Sequence, residues 1–383
     1  MNFARIVRLF VAWQLLIVII TAASFSWLPL RATFIGGSDQ ASLANPQPYI
    51  RNPLLYSRAN FDGIHYVDIA RKGYGYAQQA FFPLYPKLIT LLSPYVHPPA
   101  LAGILVSLAG FLAGLVFLSR LMTLDHRPKI VFWTILALLV FPTSFFFGSV
   151  YTEGLFFFFS VSAFYFARSR RWWVAGIIGL LASYTRFIGV FLLPALLIEW
   201  WTAYSGSEKG PKPAIADLMI LFFIPVGLVI FMHYLIHTTG DPLAFLHVQK
   251  LFGQGRSDEI ILIYQVFWRY LKMIFTVNRA DPLYLTIWLE LITGILGTVS
   301  SVILFFRSRP SYAFFNLASF LTPTLSGTFT SVPRYLLLCF PSFILLGEWL
   351  GKTDTVWRRS YLFFSLILLV LFTSLFVRGY WVS

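Results

Sequence analysis

Charge is scarce in this chain of 383 residues and cysteine is nearly missing: 11% of residues are charged and Cys339 is the only cysteine. One cysteine excludes an intramolecular disulfide and any cysteine-built metal site. A soluble globular domain is about 25% charged, and here the missing charge is replaced by 58% hydrophobic and 19% aromatic residues. That composition excludes a soluble domain. Acids are scarcer than bases, 15 Asp and Glu against 29 Lys and Arg, for a formal charge of +14. In a soluble protein such an excess points to nucleic acid. No contiguous basic stripe and no recognition module is present, so nucleic acid is excluded as a partner. The bases collect instead in short loops between apolar runs, where membrane orientation and contact with anionic membrane lipid account for them.

Apolar runs of membrane-spanning length recur from end to end, which predicts an all-α polytopic membrane protein forming a single domain over 1–383. Helices are expected near 11–30, 99–119, 130–148, 153–167, 172–185, 187–203, 216–237, 283–306, 311–329, 335–350 and 360–377, about eleven spans. The first run, after Arg5 and Arg8, lacks the short core and small-residue cleavage site of a signal peptide and is expected to be retained. Arg5 and Arg8, Arg120 to Lys129, Arg168 to Arg171, Lys209 and Lys212, Arg307 and Arg309, and Lys352 to Arg359 then fall on one side, assigned cytoplasmic with the N-terminus. Residues 260–275 are apolar but broken by Arg269 and Lys272, and read as an interfacial amphipathic helix. Residues 80–94 carry Pro83, Pro86 and Lys87 and read as interfacial or re-entrant. Two long segments, 31–98 and 238–282, are left outside, and outer loops of that length are usually functional.

The run "NFDGIHYVDIARKGY" concentrates ionisable groups in a chain that otherwise avoids them. Asp62, His65 and Tyr66 lie one helical turn apart and share a face. Asp62 reads either as a general base near a low-dielectric boundary or as a helix cap or solvated loop residue. Asp68 is expected to pair with Arg71 or Lys72. Glu153, Arg186 and Arg334 each lie at the outer end of a span, and Asp241, His247 and Lys250 lie in the second outer segment. Charges at membrane depth are functional candidates by default. Glu199 and Glu290 fit structural hydrogen bonding. The charge-derived topology gathers Asp62, Glu153, Arg186, Asp241, His247 and Arg334 at one face, which predicts one polar cavity suited to an anionic ligand and a proton acceptor. A transporter vestibule would look similar.

"NFDGIHYVDIARKGY" followed by "AFFPLYPKLI", the stretch from "FPTSFFFGSVYTEG" to "LLPALLIEW", then "GDPLAFLHVQK" and "PRYLLLCFPSFILL" together resemble the PIG-V-like mannosyltransferases, in a bacterial-type member. Phe61 departs from the Trp that commonly precedes the acid in such proteins. The resemblance implies a GT-C glycosyltransferase fold, a polyprenyl-phosphate sugar donor, typically mannose, and action on the non-cytoplasmic side of a bacterial plasma membrane. It implies Asp62 as the catalytic base, no Rossmann domain and a lipid-linked or envelope glycan acceptor; a lipid-phosphate donor does not require a pyrophosphate-chelating metal, so no cofactor or metal is expected, and metal dependence stays open. Arg334, with Arg186 or Lys250, would meet the phosphate, while Glu153, His65, Tyr66, Asp241 and His247 would line the substrate site. A GT-C transferase of another sugar, a polytopic transporter or lipid flippase, and a non-catalytic assembly partner are the alternatives.

Overall fold

The structure, a computed structural model, describes residues 1–31, 34, 47–206, 212–252 and 260–382. Lys209 and parts of both outer segments lie outside the described residues. Every regular element among them is helical. Six helices are long and apolar enough to cross a membrane: Phe3–Trp27, Pro99–Met122, Phe187–Tyr204, Ile215–Thr239, Leu283–Arg307 and Thr355–Val377. The pair Val332–Leu338 and Phe340–Lys352, bent by 76°, makes a seventh if counted as one span. The other expected spans appear as shorter helices packed into the bundle, among them Pro128–Leu139, Glu153–Arg168, Trp172–Thr185 and Pro310–Thr324.

Proline and small polar residues explain the shortening. The run read as 130–148 stops being α-helical at Leu139, and Pro142 and Thr143 lead into a 3-10 turn over Ser144–Gly148. Pro323 lies in the last turn of Pro310–Thr324, so the run read as 311–329 ends early. Pro225 stands at the restart of the helix Val226–Thr239. Pro341 follows the break at Cys339. A proline ring removes one backbone donor and clashes with the preceding turn, which ends or bends a helix.

The outward faces are apolar: Phe305 and Phe306 are 71% and 79% exposed. Water would disfavour such a surface and hydrocarbon accommodates it. The helix Ile263–Thr276 buries Val266, Tyr270 and Ile274 and exposes Trp268 and Phe275, an amphipathic pattern. Its 14 residues extend only about 21 Å, short of the roughly 30 Å a span requires. The 80–94 stretch folds as a nine-residue helix, Leu84–Leu92, with Tyr85 donating to the Gly103 carbonyl at 2.9 Å.

One close helix crossing sets the position of the site. Helices Pro99–Met122 and Glu153–Arg168 meet through glycine: a Cβ on Gly154 would lie 2.3 Å from the Ser107 carbonyl oxygen, and one on Gly110 would lie 2.8 Å from Leu155 Cα. Small residues let helix backbones approach this closely. The contact fixes the first turn of Glu153–Arg168, and with it Glu153, deep in the bundle.

Candidate active site

Four charges from four separate segments meet at one cavity. Arg334 Nη1 donates to Asp62 Oδ2 at 2.6 Å. Arg186 Nη1 donates to Glu153 Oε1 at 2.8 Å and to Thr152 Oγ1 at 2.8 Å. Arg334 Nε lies 3.8 Å from the same Glu153 oxygen, so Glu153 faces both guanidinium groups. The carboxylates and guanidiniums balance, leaving this cluster neutral.

Local sequence explains each placement. Asp62 opens the helix Asp62–Lys72 and Glu153 opens Glu153–Arg168, so each acid meets the positive end of a helix. Arg71 and Lys72 occupy the last turn of the first helix and Gly73 ends it at φ 80°, the matching arrangement at a C-terminus. Asn60, just before the acid, is pinned twice: its side-chain amide donates to the Phe376 carbonyl at 2.8 Å, and its own carbonyl accepts from the Tyr151 hydroxyl at 2.8 Å. Arg334 stands in the first turn after the bend-forming Ser331, whose hydroxyl accepts from Nη2 at 3.2 Å. The Arg334 guanidinium lies 5.1 Å from the centre of the Tyr151 ring and 5.4 Å from that of Phe146. Arg186 lies 4.6 Å from the Tyr335 ring centre. These aromatic faces hold the cations without neutralising them.

Two residues beside the Asp62–Arg334 pair hold positive φ without being glycine: Phe61 at 58° and Ser331 at 72°. Such conformations cost about 1–3 kcal/mol each and persist where the surroundings enforce them. Phe61 is held by an edge-to-face contact with Trp381 at 5.0 Å and a tilted one with Phe376 at 5.7 Å. Ser331 is buried and directly follows Thr330, where a polar chain ends. Tyr270 donates to Glu290 Oε2 at 2.6 Å and lies 3.1 Å from Thr328 Oγ1, which is 2.8 Å from Thr330 Oγ1.

The cavity has a volume of about 850 Å³ and is lined by Asp62, His65, Tyr66, Glu153, Arg186, His247 and Arg334. Its apolar wall includes Phe82, Phe187, Phe245 and Phe252. His65 stacks on Phe81 at 4.8 Å, and its Nδ1 lies 3.4 Å from Gln78 Nε2. Burial lowers the His65 pKa, outweighing the opposite pull of Asp62 and Asp68, so the ring favours its neutral form. Burial likewise pushes the Tyr66 phenol well above its ordinary value, keeping it a neutral donor.

Asp241 and Lys250 do not line the cavity. Asp241 stands behind His247, with Oδ2 2.6 Å from Nδ1, and the hydrogen bond from His247 followed by the Leu243 amide holds its carboxyl below the usual value. Lys250 lies beyond, in the 3-10 turn Val248–Phe252. Asp68, expected to serve local pairing, is itself buried. The sequence reading passed over Ser331, Thr330, Tyr151 and Tyr335. Their residue types carry no signal of their own, although "TSVPRY" does place Ser331 three residues before Arg334. No group of three or more His, Cys, Asp or Glu able to hold a metal ion occurs among the described residues.

The family model described as mannosyltransferase (PIG-V) matches residues 3–204, more than half of the 383 residues. That stretch contains Asp62, Glu153 and Arg186 and stops short of Arg334. No curated protein matches. Among solved structures, the Archaeoglobus fulgidus oligosaccharyltransferase, crystallised tethered to an acceptor peptide, is similar over 98% of this chain and 55% of its own, with a TM-score of 0.46 and 13% identity. The chain thus spans about half the length of that enzyme.

Proposed function

Because the chain belongs to the PIG-V mannosyltransferase family, a family of membrane glycosyltransferases, we propose that it is an inverting GT-C enzyme moving a sugar, mannose by family, from a polyprenyl-phosphate donor to a hydroxyl of a lipid-linked or envelope glycan. The active site faces the non-cytoplasmic side of a bacterial plasma membrane, as the basic loops suggest. One observation carries this reading. A carboxylate at a helix N-terminus, the buried guanidinium of Arg334 and the half-buried one of Arg186, separated by up to 272 residues of sequence, face the same aromatic-walled cavity.

In the proposed reaction the acceptor hydroxyl loses its proton to Asp62 as its oxygen attacks the anomeric carbon. The bond from that carbon to the phosphate oxygen breaks, and the electron pair leaves with the phosphate. Arg334 and Arg186 stabilise the departing charge through charge-assisted hydrogen bonds. A phosphate leaving group needs no general acid. Attack from the opposite face with a single carboxylate inverts the anomeric centre, whereas retaining glycosidases use a close carboxyl pair. Glu153 holds the two guanidiniums beside each other. Neutral His65 and the rim residue His247, backed by Asp241, offer hydrogen bonds to sugar hydroxyls. Phe82, Phe187 and Phe245 supply apolar surface for the first isoprene units. A volume of about 850 Å³ is in the usual range for a small-molecule pocket, roughly 300–1,000 Å³.

The charges at the opposite end of the helix Glu153–Arg168 are already paired with one another, which favours an enzyme cavity at one end over a transport path. The test is to incubate the purified chain with radiolabelled polyprenyl-phosphate mannose and a membrane-lipid acceptor pool. Label moves to the acceptor fraction with inverted anomeric configuration. Label that never leaves the donor, across acceptor pools, overturns the reading.

A further inference from the structure

Asp62 and Arg334 are each engaged with the wrong partner for this chemistry. A guanidinium 2.6 Å from a carboxylate favours the charged form and weakens the carboxylate as a proton acceptor. The same contact occupies the cation that a phosphate needs. The resting site is therefore masked on both counts.

We propose that the donor's phosphate takes the place of Asp62 on Arg334, so that donor binding both completes the phosphate site and releases the base. This rests on the transferase reading above. Of the two acids, Asp62 is the more exposed and the one that yields. Its side chain is 25% exposed, while that of Glu153 is 1% exposed. Glu153 is also held by Arg186 at 2.8 Å and is locked by the tight crossing at Gly154. Arg334 has little room to leave, being bounded by Ser331, Tyr151 and Phe146. So the guanidinium stays and the carboxylate turns away. It remains at the N-terminus of its own helix, where a negative charge is favoured.

Charge balance supports the exchange. Two acids and two bases leave the cluster neutral before the ligand arrives, so a phosphate gains Arg334 as a full positive partner only by displacing a carboxylate; Arg31 is the other arginine on the cavity lining. The consequence is an order of binding. The donor comes first, and the acceptor hydroxyl finds a competent base only after it. A free acceptor meets a carboxylate still tied to Arg334.

The exchange makes a prediction opposite to that for an ordinary binding residue: removing Asp62 strengthens phosphate binding. The full chain in nanodiscs is titrated with undecaprenyl phosphate, and with the uncharged polyprenol of equal length as control. Asp62→Asn is expected to bind the phosphate about tenfold more tightly than the wild type, equal to about 1.4 kcal/mol, with polyprenol binding unchanged. Arg334→Gln is expected to lose the preference for phosphate over polyprenol. Carboxyl footprinting of the wild-type chain, read by mass spectrometry, covers the case in which Asp62→Asn does not fold. Labelling of Asp62 rises when undecaprenyl phosphate is added, although the ligand enters the same cavity. Equal or weaker phosphate binding by Asp62→Asn, or protection of Asp62 by the phosphate, overturns the exchange. Loss of transfer in Asp62→Asn without tighter binding leaves the base assignment standing and removes only the exchange. Retained transfer removes the base assignment itself.

Discussion

The two ends of the helix Glu153–Arg168 both carry ion pairs, and they differ in how fully the carboxylates are satisfied. At its C-terminus Arg168 pairs with Asp125 through both terminal nitrogens, and Nη1 also reaches the Tyr312 hydroxyl at 3.4 Å. Beside it Glu199 has both oxygens taken, by Arg309 Nε at 2.8 Å and Nη2 at 2.7 Å, with Ser311 adding a bond at 2.5 Å. At the N-terminus, about 24 Å away by helix rise, Glu153 is fully buried. One of its oxygens serves Arg186, and Oε2 has no hydrogen-bond partner among the described residues. Leaving a buried carboxylate oxygen unsatisfied costs free energy that a purely structural site avoids. At the C-terminal end both oxygens of Asp125 and of Glu199 are taken, Arg168 Nε is the one buried atom of these pairs left unpartnered among the described residues, and that end holds helices together. The unsaturated end surrounds a cavity, and its spare capacity suits a ligand.

The difference is most sharply tested by removing one arginine from each end. Arg334→Gln is expected to lower sugar transfer by about 10²–10³-fold, the usual effect of losing a group that stabilises transition-state charge, measured per folded molecule with radiolabelled donor. Arg309→Gln leaves Glu199 buried without its bidentate partner and is expected to cost about 3 kcal/mol of stability, read as a lowered thermal midpoint, with transfer per folded molecule unchanged. If the two variants exchange phenotypes, the distinction between the ends is lost.

A smaller effect is expected one step back from the cavity. Tyr270→Phe cuts the chain from Glu290 through Thr328 to Thr330 and loosens the turn that presents Ser331 to Arg334. Transfer is expected to fall about tenfold, since small misplacements near a reacting group are costly. The double variant with Ser331→Ala is expected to lose less than the two single losses combined. Fully additive losses would separate the chain from the site.

The smallest effect concerns His65. Its folded-state pKa lies below the usual value of 6.5, so below that pH the unfolded chain takes up a proton that the folded chain resists. Its contribution to stability is full above 6.5, and it is lost as pH falls through the folded value. Thermal unfolding at pH 5 and pH 7.5 is expected to show a smaller acid loss in His65→Gln than in the wild type. An equal loss in both would place the acid sensitivity elsewhere.

Much of this arrangement is legible in the amino-acid order, and the remainder has physical reasons for being hidden. Hydropathy locates the helical runs, because burial in hydrocarbon depends on composition and length. It misjudges their ends where a proline follows an apolar run, as at Pro142, Pro323 and Pro341. Charge placement brings Asp62, Glu153, Arg186 and Arg334 to one face, and the same face includes His65 and His247. Partner choice is not legible. Nothing in the sequence says that Arg334 meets Asp62 while Arg309 meets Glu199, because both pairings are set by helix packing over more than 100 residues. The positive φ of Phe61 and Ser331 is equally silent, since glycine is the usual sign of that conformation and neither residue is glycine. Glu290 reads as structural from its place in a span. Its link to Thr330 through Tyr270 depends on a helix folding back from the second outer segment.

The most direct measurement of the central assignment is sugar transfer by Asp62→Asn. The variant is purified in the same membranes as the wild type, matched for folded protein by thermal midpoint, and assayed with radiolabelled polyprenyl-phosphate mannose. Loss of transfer to background, with the donor still bound, is the predicted result. Transfer at near wild-type rate would mean that Asp62 is not the base and that the cavity works by other groups.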